Sequence, residues 1–282
     1  MAKGSATTFA DGTPLSDYTG DKSILDSDLT KRQAFGFITL DALMDEESTQ
    51  SWVVRDWLPS DGLSLLFGDS GSGKTFMALD WALHIAAGLP WHGKEVDQGS
   101  VFYVVGEGRS GLKHRIAAWC SWYGVEPREL PFYVSTVSAQ LYDELGAVEV
   151  SSAIKRTANG AGTPALIVVD TLARNFGNGN ESNTADMNQF VNHLDVFFCK
   201  PFSALLLIVH HPGHGEKDRA RGAYSLHCAM DAEYQVTRDD DLVRLVCTKM
   251  KDADTPDPMA FQSKKIELDE VDEYGTPRTS LI

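Results

Sequence analysis

Basic residues are in short supply in this chain. Lys and Arg number 25 against 40 Asp and Glu, a formal net charge of −15. That balance excludes a protein that coats duplex DNA with a broadly basic surface, because such binding rests on neutralising phosphates. It leaves room for a basic loop confined to the channel of a ring, where charges from several subunits converge. Cysteine is also rare. Cys120, Cys199, Cys228 and Cys247 are scattered with no metal-binding or redox spacing, which predicts reduced thiols and a cytoplasmic location. No apolar run is long enough to span a bilayer and the start of the chain carries no signal-peptide pattern, so no membrane association is expected. Internal repeats are missing too, which sets aside solenoids and propellers.

What is present is enough apolar residues for a sizeable core, at 43% of the chain. Residues 1–35 are rich in Ser, Thr, Asp and Gly and predict a mobile leader. From residue 36 to 282 the pattern reads as one domain. A short apolar element at 35–44 comes first, then Trp52, Val53, Val54, Trp57 and Leu58. These aromatics are expected at a domain edge or against a neighbouring subunit.

Apolar strands at 63–67, 101–105, 132–134, 165–169 and 205–209 then alternate with helices. One helix carries Leu112, Ile116, Trp119, Cys120 and Tyr123; others are expected over 148–158 and 183–199. Continuous apolar strands separated by helices indicate an α/β fold with a mainly parallel sheet covered on both faces. Strands at 232–236, 242–248 and 261–268, joined by acidic turns, predict an antiparallel C-terminal extension.

The densest chemical signal is Gly68-Asp69-Ser70-Gly71-Ser72-Gly73-Lys74-Thr75, which fills every position of the phosphate-binding P-loop. Glycines let backbone N–H groups turn inward around a phosphate, the lysine reaches the β- and γ-phosphates, and the hydroxyl holds Mg²⁺. A buried strand enters the loop and an apolar helix, residues 76–87, leaves it, so the anion would sit at a helix N-terminus. ATP and Mg²⁺ are therefore the expected ligands.

Other residues fit around that loop. Asp170 ends an apolar strand, where a carboxylate can hold the Mg²⁺ shell opposite Thr75. Glu107, just past the strand at 101–105, can orient or deprotonate an attacking water; its alternative is a loop glutamate paired with Arg109 or Lys113. His210 and His211 follow the strand at 205–209. They suit a γ-phosphate sensor or a structural pair, and with His214 they match no common zinc spacing. Lys217, Arg219 and Arg221 alternate in a glycine-containing loop. Arg174-Asn175-Phe176-Gly177-Asn178-Gly179-Asn180 offers a cation, an aromatic and amides. Two such loops can grip single-stranded nucleic acid, though solvated surface loops have the same composition and Arg221 could instead face a neighbour's γ-phosphate. Lys249 and Lys251 are alternate residues at a strand end. They are either cations supplied to an adjacent subunit or edge-strand lysines that block aggregation.

This order of motifs resembles the RecA/DnaB-type ATPases, and most closely the RepA-like branch of plasmid and phage replicative helicases. The matching residues are the P-loop, Gly106-Glu107-Gly108, Val168-Val169-Asp170-Thr171-Leu172-Ala173-Arg174, Val209-His210-His211 and Arg219-Ala220-Arg221-Gly222-Ala223, in a likeness running from Trp57 to the C-terminal strands. The resemblance implies a RecA-like P-loop core, a hexameric ring with ATP between subunits, and ATP-driven movement on single-stranded DNA. By the same likeness Lys74 and Thr75 take the P-loop roles, Asp170 the Mg²⁺ role, Glu107 the base role, and His210 or His211 the sensor position. Lys249 and Lys251 look like the paired cations offered to the next subunit, with lysine where DnaB-type helicases tend to have arginine at the second position. A RecA-like recombinase and a regulatory ring ATPase with a protein partner are the competing functions. The Leu-Ser-Gly-Gly-Gln signature of transporters, the Asn-Lys-x-Asp motif of GTPases, the helical lid of AAA+ proteins and the arginine-rich lid of small-molecule kinases are not found.

Overall fold

The computed structural model describes residues 36–45, 51–106, 108–160, 162–211, 224–271 and 273–282. The chain divides into two units, Met1–Thr49 and Gln50–Ile282. In the first, helix α1 (Leu40–Met44) is capped by the Thr39 hydroxyl, which accepts from the Ala42 N–H at 3.2 Å. The expected leader, 1–35, lies outside the described residues.

The second unit is built on an eight-stranded sheet. Before it come β1 (Trp52–Val54) and β2 (Leu58–Pro59), a small antiparallel ribbon. The sheet itself contains β3 (Gly62–Phe67), β4 (Ser100–Val105), β5 (Phe132–Val134), β6 (Pro164–Asp170), β7 (Leu205–His210), β8 (Ala232–Asp239), β9 (Leu242–Met250) and β10 (Met259–Gln262). Their spatial order is β10-β9-β8-β3-β7-β6-β4-β5. All neighbours from β8 to β5 run parallel, and β9 and β10 are antiparallel additions at one edge.

Strand periodicity divides the core. Leu205, Leu207 and Val209 point to one face, Leu206 and Ile208 to the other, and the same split separates Tyr103 and Val105 from Phe102 and Val104. Both faces are buried, which is why these strands read as unbroken apolar runs. On the first face lie α2 (Lys74–Ala87) and α3 (Arg109–Tyr123); on the second, α4 (Glu144–Ala158) and α6 (Thr184–Leu194). A short helix α5 (Leu172–Asn175) follows β6, and α7 (Tyr224–Ala229) precedes β8. Helix α6 starts at Asn183, whose side chain accepts from Ala185 and Asp186 N–H groups. It passes into a π turn at Asp195–Cys199, so the expected helix over 183–199 changes pitch in its last part.

Three differences from the sequence reading have physical causes. Strand β8 pairs parallel with β3 and antiparallel with β9, so the antiparallel extension begins one strand later than expected. The strand expected over 261–268 is divided. Residues up to Gln262 pair with β9, whereas β11 (Lys265–Val271) pairs with β12 (Pro277–Leu281) in a separate hairpin packed on α3. Trp57 is not an edge aromatic. It is 1% exposed, meets Trp91 edge-on at 5.3 Å between ring centroids, and its carbonyl accepts a hydrogen bond from the Tyr234 hydroxyl. The β1–β2 ribbon folds over the sheet and closes the core above α2.

Candidate active site

Strand β3 delivers the chain to the loop Gly68 to Thr75, and α2 begins inside that loop at Lys74. Backbone geometry favours glycine along the loop, most plainly at Gly73 and Gly68. Gly73 adopts the left-handed conformation at φ 102°, and a Cβ on Gly68 would lie 2.1 Å from the Val236 carbonyl oxygen of β8. The loop is thus pressed between β8 and the start of α2, where orphan amides and the helix dipole favour an anion.

Lys74 Nζ donates to the Gly68 and Asp69 carbonyls, both at 2.7 Å, and lies 3.4 Å from His211 Nδ1. Its burial pulls the pKa down to about 8, against the opposing charges of Asp170 and Asp69. Asp170, the last residue of β6, is itself buried. Burial raises its pKa, opposed by hydrogen bonds from Tyr103 and Thr75 and by the charges of Arg115 and Lys74. The two residues expected to share Mg²⁺ are near neighbours, close enough for the Thr75 hydroxyl to act on the Asp170 carboxylate. A hydroxyl and a carboxylate make an all-oxygen donor set, which fits a hard cation such as Mg²⁺.

Of the two histidines, His211 is the one beside Lys74. His210 is a buried strand residue, 1% exposed and in register with Phe67 of β3. Glu107 lies outside the described residues; its neighbour Gly106 donates to the Asp170 carbonyl at 2.7 Å. Arg174 sits on α5, packed so closely on Gly106 that a Cβ there would fall 2.3 Å from the Arg174 Cβ. The aromatic of that segment is not offered to a base. Phe176 is 1% exposed and stacks on Phe190 at 4.8 Å, because the chain after β6 turns back into the core. Asn175 is spent as well, its amide donating to the Thr171 carbonyl at 3.0 Å and its oxygen accepting from Ala139 N–H at 2.8 Å. Lys217, Arg219, Arg221 and His214 lie outside the described residues.

Lys249 and Lys251 are remote from the P-loop of their own chain. Lys249 is in register with Glu233, and Lys251 N–H bonds Asp231, whose own N–H bonds Leu63 near the start of β3. Lys249 Nζ donates to the His227 carbonyl at 2.6 Å, and Lys251 Nζ pairs with Asp231 at 2.7 Å.

Sequence reasoning missed Tyr103 and Arg115. Tyr103 Oη donates to Asp170 Oδ2 at 2.6 Å, and the Arg115 guanidinium lies 4.6 Å above the Phe76 ring. Tyr103 is one of five consecutive apolar strand residues and Arg115 one of several charges on a helix, so nothing in the sequence singles either out. Among the described residues no group of three or more His, Cys, Asp or Glu is placed to hold a metal by itself, and no helix is long and apolar enough to cross a membrane.

The sheet order, with a P-loop leaving β3 and a carboxylate ending β6 two strands away, defines a RecA-like P-loop fold. The solved RadB recombinase shares this fold, with a TM-score of 0.52 and 17% identity over 71% of this chain and 86% of that one. The chain belongs to the AAA domain family, whose model matches residues 29–217. No curated protein matches it in sequence.

Proposed function

We propose that this chain is an ATP-hydrolysing helicase or translocase acting on single-stranded DNA in replication or repair, of the RepA-like kind, working in the cytoplasm as a hexameric ring. The observation that carries the ATPase part is the convergence of Lys74, Thr75 and Asp170 at the mouth of one P-loop. In this reading the loop amides from Gly68 to Gly73 bind the phosphates and Lys74 leaves its carbonyl partners for the β- and γ-oxygens. Thr75 and Asp170 hold Mg²⁺, which when bound offsets the charge that builds on the transferred phosphoryl oxygens. Glu107 accepts the proton of the attacking water. His211 reports the γ-phosphate, with His210 as its buried anchor. Lys249 and Lys251 act on the neighbour's nucleotide. Arg174, Lys217, Arg219 and Arg221 supply the DNA contact, through backbone charge rather than base stacking, since Phe176 is buried.

The second reading is a strand-pairing recombinase, favoured by the likeness of fold to the RadB recombinase. ATP turnover with and without single-stranded DNA, read beside oligomer size, separates the readings. The helicase reading expects severalfold stimulation, closed rings and strand displacement from a forked duplex. Stimulation with filaments and strand exchange would support the recombinase. Turnover indifferent to DNA would overturn both in favour of a regulatory ring ATPase.

A further inference from the structure

A tyrosine buried in a sheet gains nothing from its hydroxyl unless the hydroxyl finds a partner, because taking it out of water is costly. Tyr103 is 1% exposed in the middle of β4, and its ring packs near-parallel to Phe132 at 5.9 Å between centroids. Phenylalanine would fill that space equally well. The hydroxyl is therefore accounted for only by what it touches, and it touches Asp170 Oδ2 at 2.6 Å. This is the length of a charge-assisted O–H···O⁻ bond. The β4–β6 register makes the contact specific. Tyr103 pairs with Val168, and the long phenol reaches two residues further along β6 to the carboxylate at its end. Arg115, on the helix packed against the same face, adds a charge that both Tyr103 and Asp170 feel.

We infer that Tyr103 is a positioning residue: its hydroxyl anchors one oxygen of Asp170, so that the carboxylate presents its remaining lone pairs in a fixed direction toward Thr75 and the cation the two would share. The inference rests on the proposed Mg·ATP site and adds to it the group that orients the metal-binding carboxylate. Partners of this kind, one shell beyond the ligands, typically change metal affinity about 10–100-fold. Residues that merely fill a core change stability instead.

The test separates those two effects. A fluorescent, non-hydrolysable ATP analogue is titrated into the full chain with EDTA and then across a series of Mg²⁺ concentrations, for wild type and Tyr103→Phe. The expected result is an unchanged affinity in EDTA and a Mg²⁺ requirement raised roughly tenfold in the variant. Ser135→Ala serves as the control, because it removes another hydroxyl bond at the end of β4, from Val105 N–H at 3.0 Å, without touching Asp170. It should lower the melting temperature and leave the Mg²⁺ requirement alone. In an Asp170→Asn background the Tyr103→Phe change should have no further effect on metal.

Three results would overturn the inference: a wild-type Mg²⁺ requirement in Tyr103→Phe, an equal shift in Ser135→Ala, or an additive effect in the Asp170→Asn background. If the wild-type protein binds the analogue with no dependence on Mg²⁺, the underlying ATPase reading fails first. That failure is visible before any variant is made.

Discussion

At the level of single residues, the site is a set of groups held in uncomfortable surroundings. Lys74 is the clearest, since burial brings its pKa down to about 8 and phosphate charges would restore it. The sign of the linkage follows. Free protein loses the Lys74 proton as pH rises through 8, whereas nucleotide-bound protein keeps it to higher pH. Binding at pH 9 should therefore take up a proton, and affinity should weaken as pH rises above 8. Calorimetry in two buffers of different ionisation enthalpy measures this directly; buffer-independent heats at pH 9 would contradict it. The P-loop motif with Thr75 could be read from the sequence because its internal spacing is set by backbone geometry around a phosphate, and Asp170 because it ends an unbroken apolar strand. Tyr103 could not, since nothing in an apolar strand tells which aromatic ring faces a carboxylate on the neighbouring strand. The burial of Phe176 was hidden for a related reason: a Gly- and Asn-rich surround reads as loop, while the contacts that draw the ring inward come from Tyr142 and Phe190, both distant in the chain.

Among the elements, α2 has a second task besides presenting the P-loop. Asp80, nearly two turns along it, accepts the Trp91 indole N–H at 2.8 Å and the Trp119 indole N–H at 3.0 Å, and its carboxylate lies 3.2 Å from His84 Nδ1. This ties α2 to α3 and to the segment that follows α2. Burial alone would raise the Asp80 pKa. Hydrogen bonds from His84 and His92, the charge of His84 and the Trp91 indole outweigh it and hold the carboxyl well below the usual carboxylate range. A depressed carboxylate contributes stability that is complete above its unfolded value, about 4, and is lost as pH falls toward the folded value. Asp80→Asn would set an amide against two indole donors and should cost about 2–3 kcal/mol at pH 7. Thermal unfolding at pH 7 and pH 3.5 should show the difference from wild type shrinking in acid; a gap that is constant with pH would refute the assignment. The parallel strands and their helices were legible because each buries both faces. The break between β10 and β11 was not. Its trace in the sequence is a polar run from Gln262 to Lys265 with a change of phase between Phe261 and Ile266, but only the packing of the hairpin on α3, with Lys264 at 3.6 Å over the Trp122 ring, decides where the chain changes sheets.

For the molecule as a whole, the proposed ring would place each nucleotide beside a neighbouring subunit. Lys249 and Lys251 are in register with, or bonded to, the part of β8 beside the first half of β3, and their proposed role is one between subunits. Subunits carrying Lys74→Ala and subunits carrying Lys249→Ala with Lys251→Ala should each be nearly inactive alone. Mixing them should restore part of the ATP turnover, because intact lysines then meet intact P-loops at some interfaces. No recovery on mixing, with hetero-oligomers shown to form, would assign the lysines to the sheet edge alone. Assembly would be written in contacts between copies, which a single sequence does not spell out. Underneath all of this stands one claim, that Lys74, Thr75 and Asp170 form a single Mg·ATP-hydrolysing site. The most direct measurement is phosphate release from ATP by wild type, Lys74→Ala and Asp170→Asn at saturating Mg²⁺, each checked for native folding. The account predicts turnover in wild type and a loss of at least about 100-fold in both variants, as for other groups that stabilise transition-state charge. Turnover that survives either substitution within a few fold would contradict it.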